Sequence, residues 1–283
     1  MIYLVWVGLG QSVYMIDIVI CTFKRLDKQI TLNEIPESYR DNVTLVVQPQ
    51  EEKQAKKIHK NIFVLDSNNI GYAKTIKQAT YEWSINRNKH FFLFDDDLQF
   101  RYNEEIVYGK RGKKSKMTEK NFYDMFSDIQ KELDKGLMHG GLGTTWVYPW
   151  GKIPYVENSR LITNKFYNKK LKEIWHKIDW DNCCGAEDYY VNLQLLTRGY
   201  NNKTWYKYVV FPAASYADGG CSDYRTLEYH NKSCFDLKSK FPDFVKLGEK
   251  IETKGKWKGM LKFDCYVQWK KAYQSSQVGK LDI

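Results

Sequence analysis

The 283-residue chain is 43% apolar and 16% aromatic, with 21 Tyr and 9 Trp, enough to bury a sizeable core in one large domain or two modest ones. A formal net charge of +10 points to an anionic partner, nucleic acid or another acidic surface. The six cysteines (21, 183, 184, 221, 234 and 265) form no Cys-x-x-Cys pair, which argues against a zinc ribbon or a disulfide framework and suits reduced thiols in the cytoplasm.

Residues 1–16 carry no charge. They lack a basic leading region, and Gln11-Ser12 breaks the apolar run, so a signal peptide is not expected. The run is also shorter than the roughly 20 apolar residues of a membrane span. Residues 1–15 read as an N-terminal extension or a small extra strand. Residues 16–22 form a β-branched run closing on Thr22, followed by Phe23-Lys24-Arg25: a buried strand opening into a polar loop. Residues 44–47 and 62–65 repeat the pattern, the latter ending at Asp66. After Gly71 the spacing of Tyr72, Ile76, Ala79 and Trp83 predicts a helix, with Asn68 or Asn69 to cap it.

The next strand drives Phe91-Phe92-Leu93-Phe94 into three consecutive carboxylates, Asp95, Asp96 and Asp97. Strand alternation predicts that Asp95 and Asp97 share a side and Asp96 faces the other way. Carboxylates gathered at a strand's exit suit a hard divalent ion, Mg²⁺ or Mn²⁺; a solvated acidic turn is the plainer alternative. Strands and a helix in this order predict an α/β fold with a mainly parallel sheet, whose ligands bind beyond the strands' carboxyl ends.

Five of the seven residues 110–116 are basic, among them Lys110, Arg111, Lys113 and Lys114; this is either a solvated loop or a grip for phosphates. Phe122, Met125, Phe126, Ile129 and Leu133 mark an amphipathic helix stopped at Gly136. The run Gly140-Gly141-Leu142-Gly143 lacks a Walker lysine and reads as a flexible loop open to a substrate. Trp146, Tyr148 and Trp150 offer either stacking surface or ordinary packing. Glu187 and Asp188 open a helix, where its dipole favours carboxylates in any case. Residues 205–211 read as a strand. His230 shares a stripe with Cys234, Leu237 and Phe241, a core position more often than a ligand, and residues 261–269 alternate as a half-exposed strand before Lys270 and Lys271. No internal repeat, linker or clear domain boundary is visible.

Taken together, residues 18–25, Asn69-Ile70-Gly71-Tyr72-Ala73, the Asp95–Asp97 triplet and Gly185-Ala186-Glu187-Asp188 resemble, in that order, the GT-A glycosyltransferases with their Asp-x-Asp and later Glu-Asp motifs. Residues 219–228, 241–245 and 267–273 are more narrowly similar to bacteriophage glycosyltransferases that modify DNA bases, a group linked to TET/JBP-type pyrimidine oxygenases. The resemblance spans roughly 16–274. It implies one GT-A domain over 16–283, with a nucleotide-binding half (16–100), an acceptor-binding half (101–283) and a C-terminal helix and strand extension. It implies a nucleotide-sugar donor, UDP-linked, with Thr22, Arg25, Asp66, Asn69, Gly71, Lys74, Asp95 and Asp96 around it. Asp97, with Asp95 and His230, would bind Mn²⁺ or Mg²⁺. Asp188, with Glu187 as the alternative, would be the general base. The acceptor would be a hydroxymethylated pyrimidine of DNA, contacted by Trp146, Tyr148, Trp150, Lys110, Arg111, Lys113, Lys114, Arg225, Lys270 and Lys271. Rival readings are a glycosyltransferase acting on polysaccharide or protein, a metal nuclease, and a non-catalytic DNA-binding module.

Overall fold

The structure, a computed structural model, describes residues 16–104, 114–144, 153–182, 185–212 and 225–277. Its strands are β1 Ile16–Cys21, β2 Val43–Val47, β3 Ile62–Val64, β4 His90–Asp95, β5 Leu98–Asn103, β6 Lys114–Lys116, β7 His139–Thr144, β8 Tyr155–Glu157, β9 Asn164–Tyr167, β10 Asn202–Pro212, β11 Val245–Ile251 and β12 Leu261–Val267. The helices are α1 Ile30–Glu34, α2 Glu52–Ile58, α3 Tyr72–Tyr81, α4 Glu119–Asp134, α5 Glu187–Leu196, α6 Leu227–Lys240 and α7 Trp269–Ser275.

Ten strands form one sheet in the order β3-β2-β1-β4-β9-β7-β10-β5-β6, with β8 also on β10. β1 to β4, β6, β7 and β10 run one way and β5, β8 and β9 the other, as the pairings require. This is the α/β architecture that the sequence implies, mostly parallel in direction. Both faces of the sheet are covered, so β1, β2 and β4 are nearly continuous apolar runs. Ile16, Ile18 and Ile20 of β1 and Phe92 and Phe94 of β4 point to a core shared with α4, whereas Val19, Cys21, Phe91 and Leu93 point to one shared with α3 and α5.

Helix α4 follows directly from its sequence. Thr118 caps it through a capping box with Asn121, and the five predicted apolar residues are its buried ones. Burying each large side chain contributes roughly 1.5–3 kcal/mol. Helix α3 begins differently from the expectation. Neither Asn68 nor Asn69 caps it; Gly71, at φ 81°, turns the chain in, while Asn68 Oδ1 accepts from Gln50 N at 3.0 Å.

The glycines at 140–143 are not a loop. They lie inside β7, fully buried, where a Cβ on Gly140 would come within 2.2 Å of the Phe166 ring and 2.5 Å of the Lys203 carbonyl oxygen. Glycine stands there so that β7, β9 and β10 can pack closely. The C-terminal strand β12 pairs with β11 in a separate two-stranded sheet, packed on α6 through Phe235 and Phe263. Among the described residues no helix is long and apolar enough to cross a membrane, and Cys21, Cys234 and Cys265 are free thiols.

Candidate functional site

The site begins where β4 ends. The strand stops at Asp95; Asp96 and Asp97 turn the chain into β5, which pairs with β10 and not with β4. Strand alternation therefore does not extend past Asp95, and the predicted arrangement of the triplet is corrected. Asp96 and Asp97 both accept from Arg25 Nη1, at 3.2 and 2.8 Å. Asp95 turns away to accept from the Tyr72 hydroxyl at the start of α3.

Asp96 is the buried member, 4% exposed. Its Oδ2 accepts from Thr22 Oγ1 at 2.8 Å, and Gln29 Nε2 donates to that hydroxyl in turn at 2.8 Å. Burial pushes the Asp96 carboxyl up to about 6, against the pull of Thr22 and Arg25. Thr22, Arg25 and Asp96, expected around the donor, thus form a clamp that ties the loop after β1 to the acidic turn. Asp95 is likewise pushed up, chiefly by burial, with Lys165 and Tyr72 opposing and the charges of Asp97 and Asp188 adding to the rise.

Opposite the turn stands the start of α5. Glu187 is buried, and burial together with the neighbouring Asp188 charge raises its carboxyl. Asp188 is ion-paired with Lys165, a lysine inside β9 whose side chain is only 4% exposed. Burial disfavours that ammonium, yet Asp188, Tyr167, Glu187 and Asp95 together more than offset this and hold it charged. The helix is fixed on the sheet by a buried polar network. His139 Nε2 donates to Asn192 Oδ1 at 3.0 Å, Asn202 Nδ2 donates to the same oxygen at 2.7 Å, and Asn192 Nδ2 donates to Ser159 O at 2.9 Å.

A cleft opens between α3 and α5, lined by Gly71, Tyr72 and Lys74 on one side, Glu187 on the other, and Arg225 and Tyr229 at the start of α6. Gly71 and Lys74, expected around the donor, and Arg225, expected at the acceptor, thus line the same cleft. Asn69 adopts a left-handed turn at φ 56° and donates its N–H to Gln48 Oε1 at 2.6 Å. Asp66 is exposed beyond β3, and its backbone N–H donates to Gln78 Oε1 at 3.1 Å.

His230 is a correction. Its Nε2 meets the Phe263 carbonyl of β12 at 2.8 Å and its ring lies 5.6 Å from that of Trp257, so it serves the packing of α6 on the hairpin and not the acidic turn. Lys114 lies in β6; Lys270 and Lys271 are exposed on α7, where Lys271 Nζ donates to Asp243 O at 3.1 Å. Trp146, Tyr148, Trp150, Lys110, Arg111 and Lys113 lie outside the described residues. Sequence reasoning missed Lys165 and Tyr72. Tyr72 stood on a helix face and within the Asn69–Ala73 motif but was given no role at the site, and Lys165 sits in a four-residue strand with no apolar run to announce it.

Residues 16–220, well over half of the chain and including both acidic clusters, match the model of the TET-associated glycosyltransferases. The chain belongs to this family. As a TET-associated glycosyltransferase it is an enzyme, and its acidic turn and the start of α5 both lie within the matched span. It is 28% identical over 239 residues to the beta-glucosyl-HMC-alpha-glucosyl-transferase of Enterobacteria phage T6, covering 81% of this chain and 82% of that protein. It is 27% identical over 238 residues to the phage T2 protein of the same name, with the same coverage. Among solved structures, S. aureus TarS 1-349 in complex with UDP matches at 11% identity with a TM-score of 0.45, over 81% of this chain and 65% of that one.

Proposed function

We propose that this glycosyltransferase moves a sugar from a UDP-linked donor to a hydroxyl carried by a hydroxymethylated pyrimidine of DNA. One observation carries the reading: Asp95, Lys165, Glu187 and Asp188, from two strands and a helix start, interact electrostatically as one cluster beside a cleft that also holds Lys74 and Arg225. Departure of the nucleoside diphosphate builds negative charge, which Lys74 and Arg225 at the cleft are placed to meet. The acceptor hydroxyl gives up its proton to Asp188 as it attacks the anomeric carbon, help typically worth ~10²–10⁴-fold in rate.

The residues at the turn fit a divalent ion. Asp97 pairs with Arg25 through Oδ2 and Asp95 with Tyr72 through Oδ1, which leaves each with a second carboxylate oxygen, the donor type that Mg²⁺ or Mn²⁺ takes. Among the described residues no group of three or more His, Cys, Asp or Glu is gathered for a metal, so diphosphate oxygens and water would complete the sphere. When bound, such an ion stabilises the leaving diphosphate.

On the DNA side, the outer face of the β11–β12 hairpin carries Lys246, Lys250, Lys262 and Tyr266, with Asp264 between them pairing with Lys250 and Lys262 at 2.9 and 3.1 Å. Tyr266 is 62% exposed and lies over Gly248. The hairpin's tip reaches the cleft, since Lys256 Nζ donates to the carbonyl of Arg225 at 3.0 Å. Reaching a base inside a duplex requires extruding it, at a cost of a few kcal/mol. The names of the T6 and T2 proteins place their acceptor on a glucose already attached to hydroxymethylcytosine, which favours a glucosylated base as a second acceptor here.

The test incubates DNA containing 5-hydroxymethylcytosine, bare or β-glucosylated, with a panel of nucleotide sugars and weighs the released nucleosides. A mass gain of one sugar on either nucleoside is expected. Sugar transfer only to oligosaccharide or protein, or DNA cleavage without donor, would sink the proposal.

A further inference from the structure

The Lys165–Asp188 pair lies at the centre of the site, and no motif in the sequence flagged the lysine. Lys165 sits opposite Leu93 of β4 in the middle of the sheet, and its side chain is almost wholly enclosed. An ammonium in such a place is costly unless a carboxylate holds it. Its partner atom is Asp188 Oδ1, which is itself shut off from solvent. The Asp188 side chain as a whole nevertheless remains 20% exposed. Since Oδ1 is taken and enclosed, Oδ2 is the oxygen left to face a substrate.

We propose that Lys165 is a positioning residue: it clamps Asp188 through Oδ1 and so aims Oδ2 at the acceptor hydroxyl. The inference rests on the reading of Asp188 as the proton acceptor. The surroundings leave the task to Lys165. Among the described residues, titratable groups that act on Asp188 include Tyr72 of α3, Asp95 of β4, Lys165 of β9 and Glu187 and Tyr189 of α5. Of these only Lys165 is a cation. Arg225 acts on Glu187. Without Lys165 three carboxylates would face one another across the cluster, and Asp188 would be free to swing toward solvent.

The experiment compares Lys165→Met, Lys165→Arg, Asp188→Asn, Glu187→Gln and the Lys165→Met/Asp188→Asn double variant, using UDP-glucose with 5-hydroxymethylcytosine DNA and its β-glucosylated form. Lys165→Met is expected to lower kcat about 100-fold while leaving the donor KM within about threefold. Lys165→Arg should restore part of the rate. Donor KM and kcat failing together, with no rescue by Lys165→Arg, would reduce Lys165 to a packing role. So would an active Asp188→Asn protein beside a dead Glu187→Gln protein, which would move the proton to Glu187.

Thermal unfolding needs no substrate and separates the inference from the proposed function. Lys165→Met should lower Tm by several degrees, and adding Asp188→Asn should return part of that loss. Strictly additive Tm shifts would overturn the clamp. A coupled pair in a wild-type enzyme that glycosylates none of the offered DNA would instead overturn the choice of substrate.

Discussion

Asp96 determines how the acidic turn is built. Both of its oxygens are used inside the protein, by Thr22 and Arg25, so it organises its neighbours in place of a ligand. The Arg25 side chain is 13% exposed and those of Asp96 and Asp97 are 6% and 15%. Removing Arg25 from beside two such carboxylates leaves buried charge uncompensated, which costs about 3–5 kcal/mol. Arg25→Met should accordingly lose about that much in urea unfolding. Lys56→Ala, which breaks the exposed i,i+4 pair with Glu52, should be barely distinguishable from wild type. An Arg25→Met protein as stable as the parent would mean that the turn holds its shape without the clamp.

A second prediction at this scale concerns pH. His139 is 1% exposed, and burial pushes its imidazole down to about 4, despite the hydrogen bond to Asn192. A group whose folded value lies below its unfolded value of 6.5 binds a proton more readily when unfolded. The stability it supports is therefore complete above pH 6.5 and is lost as pH falls from there toward 4, by at most about 1.4 kcal/mol per pH unit. Asp96, raised to about 6, has the opposite sign in part of this window, so the wild-type curve alone mixes the two. The difference between wild type and His139→Gln isolates the histidine. His139→Gln should be less stable at pH 7, and the gap should narrow steadily toward pH 4.5. A constant gap would show that His139 is not held neutral.

At the scale of elements, what could be read from the sequence was whatever carries its own period. The stripe of α4, the β-branched runs of β1 and β2 and the alternation of β12 each name their element through local spacing. The antiparallel strands β5, β8 and β9 had no such signature. β9 is Asn-Lys-Phe-Tyr, and its identity comes from lying between β4 and β7, a contact far apart in sequence. For the same reason the acids of the site could be listed from their motifs but their partners could not. Lys165 and Tyr72 meet them only through the tertiary fold. The glycines of β7 misled because glycine marks both flexible turns and close packing, and only Phe166 and Lys203 across the sheet decide between these.

The β11–β12 hairpin can be tested as a unit. Lys246 and Lys258 are exposed and the Tyr266 ring lies over Gly248. If this face follows a DNA backbone, each lysine-to-alanine change that removes a phosphate contact should flatten the log–log salt dependence of DNA binding by about 0.9. Tyr266→Ala should weaken binding with little change in that slope, since stacking releases no counterions. Unchanged affinity and slope in a Lys246→Ala/Lys258→Ala protein would place the DNA elsewhere.

For the whole molecule, the proposed division of labour puts the donor on the strand ends and proton removal at the start of α5. The two parts come from different stretches of chain, and the His139–Asn192–Asn202 network fixes α5 against the sheet that carries the acidic turn. Damage on the two sides should therefore fail in different ways. Asp97→Ala should lose binding of UDP in the presence of Mn²⁺ by calorimetry and, with it, sugar transfer. Asp188→Asn should bind UDP and Mn²⁺ as wild type does, while kcat falls by ~10²–10⁴-fold. Both proteins should keep the parent's far-UV dichroism, because neither change enters the apolar cores on the two sheet faces. Loss of UDP binding in Asp188→Asn would join the two halves into one donor site, and the proton would then need another acceptor. Glu187, already lining the cleft with its carboxyl raised by burial, would be that group.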